Sequence, residues 1–281
     1  MHNLMPFEPY RIDPDDPRAP PQELWDALPP EERQRIVDSL PSEFPVSEAH
    51  PPEGDFHFEA KTRAREVLGS FFSRIGRKVY LGSELPVYYP GESMFAPDVM
   101  AVVDVETHAR MRWMVSAEGK GLDFALEVHV AGERRKDLER NVERFARLGI
   151  REYFVFDRGR LRLSGWRLEE GRRVYRPIVP QHGLYPSEVL GLDLQVDEER
   201  LRFYVGGAPL QEAPEMIARL EHMVERVEAS RAELVQQLAE ESRLRAEESR
   251  LRTQETQRRE DVERKLAEAL TELERLRGGR G

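Results

Sequence analysis

Between Gly121 and Asp157 the hydrophobic period of the chain switches from two to 3.6 and back. Leu122 to Val130 alternates, with Phe124, Leu126, Val128 and Val130 on one face and Ala125, Glu127 and His129 on the other, as in a strand. A polar loop, Ala131 to Arg135, follows. Lys136 to Leu148 then places Leu138, Val142, Phe145 and Ala146 on one helical stripe, with Gly149 as the stop. Tyr153 to Phe156 is a short apolar run ending in Asp157. Strand, helix and strand in roughly 35 residues is the size of a βαβ crossover, which predicts two parallel strands in one sheet.

Elsewhere the patterns are shorter. Residues 1–21 are rich in proline and aspartate and are expected to form a disordered arm. Pro21 to Leu40 suits one or two short helices, with prolines ahead of an acidic first turn. Residues 41–55 have the composition of a wrapping loop. Phe58 to Ile75 reads as a helix with Ala60, Ala64, Val67, Leu68, Phe71 and Phe72 as its stripe and basic residues at Lys61, Arg63, Arg65 and Arg74. Arg77 to Tyr89 reads as a strand kinked at Gly82. Phe95 to Val105 reads as another, with Asp98, Met100, Val102 and Asp104 on one face. Arg160 to Trp166 and Val174 to Ile178 flank a hairpin signal at Glu170–Gly171. Tyr185 to Leu194 is expected to be a loop and short helix, and Leu201 to Val205 an edge strand. Together these elements predict an α/β domain over residues 22–210.

From Glu215 onward there is no glycine or proline until Gly278. Ile217, Leu220, Val224, Val227, Arg231, Leu234 and Leu238 take heptad a and d positions, and Val262, Leu266, Ala269, Leu273 and Leu276 continue them. Between these zippers the frame holds Glu241, Arg245, Glu248, Arg252, Glu255 and Arg259, while Leu244 and Leu251 keep a seven-residue spacing in a shifted frame. Two arrangements compete: a parallel dimer stalk, and a lone helix held by i,i+4 charge pairs. A lone helix leaves both zippers in water, so a coiled-coil helix over 214–277 and a homo-oligomer are expected.

Composition narrows the function. With a net charge of −10, the chain does not have the balance of a protein that grips nucleic acid by charge alone, though a local basic patch remains open to it. The absence of cysteine excludes disulfides and thiolate metal sites. No long apolar run or signal peptide is present, so no membrane span and a cytoplasmic location are expected. No Walker loop, dinucleotide glycine pattern, HExxH, GxSxG or zinc spacing occurs.

Two acids stand out. Asp98 follows Pro97 at a strand start, and Glu127 lies mid-strand. On neighbouring strands their carboxylates converge, and two hard oxygen ligands with waters suit Mg²⁺ or Mn²⁺. The competing roles are a turn residue for Asp98 and an arginine partner for Glu127. Further candidates are Lys120 in a Gly-Lys-Gly turn and the basic cluster Arg134, Arg135, Lys136 and Arg140, which faces phosphate or pairs along its own helix. His57, Glu59 and Glu66 lie at the early helix.

Pro97–Asp98, Glu127–Val128, Asp137 and the run FARLGIREYFVFD from Phe145 to Asp157 together resemble the Uma-type restriction endonuclease family of the PD-(D/E)XK nuclease superfamily, over residues 40–205. The resemblance implies a restriction-endonuclease-like mixed β-sheet flanked by helices. It also implies a Mg²⁺-dependent (or Mn²⁺-dependent) endonuclease hydrolysing DNA, with Asp98 and Glu127 as metal ligands. Two positions depart from it: the superfamily lysine, two residues after the glutamate, is His129 here, and the family's alternative lysine on the next helix is Asn141. His129 or Lys136 is then left to supply positive charge beside the water and phosphate. The rival expectation is a catalytically degenerate nuclease fold acting as a binding or scaffold module through its coiled coil.

Overall fold

The computed structural model describes residues 9–43, 54–130 and 136–278, apart from the side chains of 136–137 and 272–278. In chain order the elements begin with helices α1 (Gln22–Ala27), α2 (Pro30–Ser39) and α3 (Asp55–Arg74). Strands β1 (Val79–Gly82), β2 (Val87–Tyr88), β3 (Val99–Val103) and β4 (Trp113–Met114), the short helix α4 (Val115–Glu118) and strand β5 (Phe124–His129) follow. A π-helical turn, Lys136–Arg140, runs into α5 (Asn141–Leu148). Then come β6 (Glu152–Asp157), β7 (Arg162–Leu168), β8 (Tyr175–Pro177), β9 (Tyr185–Ser187), β10 (Leu192–Asp197), β11 (Arg200–Val205) and β12 (Ala208–Pro209), and finally α6 (Ala213–Gly278).

Six strands form one mixed sheet in the order β1-β3-β5-β6-β7-β8. β5 and β6 are parallel, as the crossover spacing predicts, and every other neighbouring pair is antiparallel. Both faces are covered, which is why the two middle strands read as near-continuous apolar runs. On one face the α3 stripe, including Leu68 and Phe72, packs on Val99, Ala101, Leu126 and Phe154, together with Leu194 and Phe203 of a second sheet. On the other, Phe145, Ala146 and Ile150 cover Met100, Ala125, Tyr153 and Val155. A third cluster gathers Trp25, Leu28, Ile36 and Leu40 around Tyr88 and Met114.

Four expectations need correction. Residues 9–21 are not a disordered arm: Ala19 is fully buried, and Arg18 and Ala19 form bridges to Ser93 and Pro90. Residues 1–8 lie outside the described residues, as do 44–53 of the expected wrapping loop and all of the polar loop 131–135. The segment Tyr185 to Leu194 supplies β9 and the start of β10 rather than a helix, and β11 lies inside the sheet β12-β11-β10-β9 rather than at its edge. Leu192 and Leu194 carry the period of two that defines β10. Strand β3 is also shorter than Phe95 to Val105, because Phe95 bridges Val87 and Asp104 turns at a positive φ of 56°.

The chain divides into two compact units, Met1–Ala213 and Pro214–Gly281. The second is the long helix α6, whose described side chains are exposed beyond its first turn; Arg245 pairs with Glu241 and Arg252 with Glu248 along it. Among the described residues, no helix is long and apolar enough to cross a membrane.

Candidate active site

Pro97 has no N–H to give a sheet, and the ladder between β3 and β5 ends at the Val99–Leu126 pair. Asp98 is thereby released from the Met100 face and turns toward α3, the helix on the opposite side. Its Oδ2 accepts the Val128 N–H at 2.6 Å and lies 3.1 Å from His57 Nε2. An ionised carboxylate only accepts, so Nε2 carries the shared proton. Behind the aspartate, Ser83 Oγ donates to the Asp98 carbonyl at 2.7 Å and the Glu84 N–H to the Pro97 carbonyl at 3.0 Å. Asp98 is 8% exposed, and among the described residues no arginine meets it and no hydrogen bond reaches its Oδ1.

Glu127 is half-buried on β5, between the buried Leu126 and Val128. One step past the Val99–Leu126 pair, the antiparallel register sets its backbone beside that of Asp98. His129 lies two residues further along the same face, is buried, and stands in register with the buried Asp157 of β6. The main chain of Lys136 opens the π turn, and its side chain lies outside the described residues, as do Arg134 and Arg135. The structure thus brings Asp98, Glu127 and His129 to one end of the central strands and leaves the reach of Lys136 undescribed.

Helix α3 brings His57, a candidate from the sequence, and one further residue to this end of the sheet. Besides His57, Lys61 is 3% exposed, an uncommon state for a lysine, and forms an ion pair with Glu84 in the turn behind Asp98. The sequence shows only that His57, Lys61, Ala64 and Leu68 follow helical spacing along the stripe that faces the sheet, not which strand residue they meet. Lys120 is structural, since its Nζ donates to the Val103 carbonyl at 2.5 Å and lies 3.2 Å from Asp123. Glu59, Glu66 and Arg140 are exposed. A groove of about 1380 Å³ lies elsewhere; it is lined by Arg151, Arg167, Arg172, Arg173 and Arg176, near the start rather than the end of β6. Arg172 and Arg176 are paired with Glu169, and Arg167 with Glu152 and Glu188.

The donor set fits a hard cation. Asp98 Oδ1 and the Glu127 carboxylate are hard oxygen donors, and among the described residues no group of three or more His, Cys, Asp or Glu side chains is placed to hold a metal ion by protein ligands alone. Mg²⁺ is commonly held by one or two carboxylates and keeps several waters.

The mixed sheet, with helices on its faces and an acidic pair at its central strands, is of the restriction-endonuclease-like class. The profile of the Uma2 family, described as "Putative restriction endonuclease", matches residues 46–198, and the chain belongs to this family. A crystal structure described as a "putative nuclease" from Anabaena variabilis aligns with a TM-score of 0.42 and 13% identity, over 53% of this chain and 82% of that one. No curated protein sequence matches the chain.

Proposed function

We propose that this protein is a Mg²⁺-dependent endonuclease, with Mn²⁺ as a substitute, that hydrolyses phosphodiester bonds in DNA. The observation that carries the reading is the setting of Asp98. One carboxylate oxygen is pinned by Val128 N–H and His57, the other is open, and Glu127 stands beside it on the next strand. In this reading Asp98 and Glu127 hold the ion, which when bound acidifies a water and offsets charge on the phosphate. Val128 and His57 fix the direction of Asp98, which lowers the cost of ordering the site as substrate arrives. His129 polarises the water or the phosphate, with Lys136 as the other nitrogen available from sequence. Lys61 adds a buried positive charge behind the pair.

A second reading, a nuclease fold that binds without cutting, is favoured by one specific observation. Both family lysine positions are occupied by buried residues of other types, His129 and Asn141. Incubation of supercoiled plasmid with wild type and Glu127→Ala, each in Mg²⁺, Mn²⁺ or chelator, separates the two. The nuclease reading expects nicked circles only from wild type with metal. Intact plasmid under every condition would leave the binding module.

A further inference from the structure

The polar middle of α6 is the least coiled-coil-like part of the helix, yet it is the part that specifies a partner. In the heptad frame of Ile217 and Leu220, the central a positions are Arg245, Arg252 and Arg259 and the central d positions are Glu241, Glu248 and Glu255. A parallel pair of helices packs a on a and d on d, so these layers would set arginine against arginine and glutamate against glutamate. An antiparallel pair packs a on d. We propose that α6 docks on α6 of a second copy of this chain in antiparallel orientation, with the two-fold axis at position 250.

With that axis, Arg245 faces the partner's Glu255, Arg252 faces the partner's Glu248, and Arg259 faces the partner's Glu241. Two-fold symmetry repeats each pair, giving six consecutive layers of opposite charge. Outward from the centre, Leu238 faces the partner's Val262 and Leu234 the partner's Leu266. In the same register Val227 and Val224 fall level with positions 273 and 276 of the second copy, both leucines in the sequence. The Arg231–Ala269 layer breaks the pattern, and so does Leu220, which falls level with position 280, an arginine in the sequence. A shift of one heptad in either direction sets Arg259 against Leu234 or Arg245 against Val262, so the register is selected as well as the orientation.

Leu244 and Leu251 support the same arrangement. They stand outside the a/d seam, at g, and each is more than half exposed in the single chain, as are Leu234, Leu238, Val262 and Leu266. In an antiparallel pair the g positions of both chains share one flank, so Leu251, one residue from the axis, meets its symmetry mate, and Leu244 lies one turn or so further out on the same flank. In a parallel pair g faces e, and the e residues here are Ser242, Ser249 and Thr256. The single chain meets its own charges along the helix, Glu241 with Arg245 and Glu248 with Arg252; the second copy covers the leucines. The two Pro214 residues then lie about 110 Å apart at 1.5 Å per residue, so the preceding segments leave the rod at opposite ends.

The chain has no cysteine, so spin labels can be placed singly on the full-length protein through Ser230→Cys or Ser249→Cys. The inference predicts a dimer by light scattering with Ser230 labels about 60 Å apart, and Ser249 labels close together near the axis. A Ser230 separation of about 10–20 Å, the width of a parallel pair, would overturn it, as would a monomer. The triple variant Arg245→Glu, Arg252→Glu and Arg259→Glu is expected to be monomeric. Adding Glu241→Arg, Glu248→Arg and Glu255→Arg is expected to restore the dimer and the long Ser230 distance. A sixfold variant that stays monomeric would remove charge pairing as the cause.

Discussion

Asp98 and Glu152 are both buried acids beside apolar residues, and their partners give them opposite roles. Glu152 is 1% exposed and receives Arg167 Nε at 2.8 Å, the Glu188 N–H at 2.8 Å and Ser187 Oγ, which ties the start of β6 to the turn after β9. All this capacity is spent on structure. Glu152→Ala leaves those donors unmatched and is expected to cost about 3–5 kcal/mol, measured by urea unfolding. Asp98 keeps one oxygen open. Its position was legible from Pro97 and the strand pattern, whereas His57 as its partner was not, because a helix-to-strand contact across 41 residues leaves no local period. Lys61→Met should separate fold from function. Glu84 is 45% exposed and regains water, so stability is expected to change by no more than about 1 kcal/mol. Cleavage is expected to fall by roughly 10- to 100-fold if the buried charge assists, and unchanged cleavage would remove Lys61 from the site.

At the scale of elements, the long periodic segments were readable and the short ones were not. The α3 stripe, the β5–α5–β6 crossover and α6 each repeat their pattern over enough residues to show a period. The β10–β11 hairpin did not show itself, because its turn is made by Glu198 and Glu199 at positive φ of 44° and 67°, where glycine or asparagine would have marked it. That turn carries backbone strain. Glu198→Gly is expected to stabilise the protein by about 0.5–1 kcal/mol, seen as a raised urea midpoint with an unchanged slope. An equal or lower midpoint would show that the turn is not strained. On the opposite face of the main sheet, Phe145 is 1% exposed against Phe95 and Tyr153. Phe145→Ala is expected to cost about 3–5 kcal/mol, because α5 cannot close the space.

Across the whole molecule, buried phenols set the alkaline limit of stability. Burial pushes Tyr88 up to about 12 and moves Tyr89 and Tyr175 upward as well. The Tyr175 hydroxyl donates to the Ile150 carbonyl, and Tyr89 Oη accepts the Leu122 N–H. Unfolded phenols ionise near pH 10, so the stability these neutral groups contribute is whole below that pH and is lost as pH rises toward and beyond 12. Phenolate absorbance should therefore rise mainly together with unfolding, because none of the described tyrosines is exposed in the folded chain. A single smooth titration of all 8 tyrosines in the folded protein would contradict this. The proposed chemistry, by contrast, rests on one shared ion. Titration of Mn²⁺ into wild type, Asp98→Ala and Glu127→Ala, followed by the loss of the free Mn²⁺ electron-paramagnetic signal, tests this most directly. The account predicts one bound ion per wild-type chain and its loss in both variants; equal binding by all three proteins would contradict it.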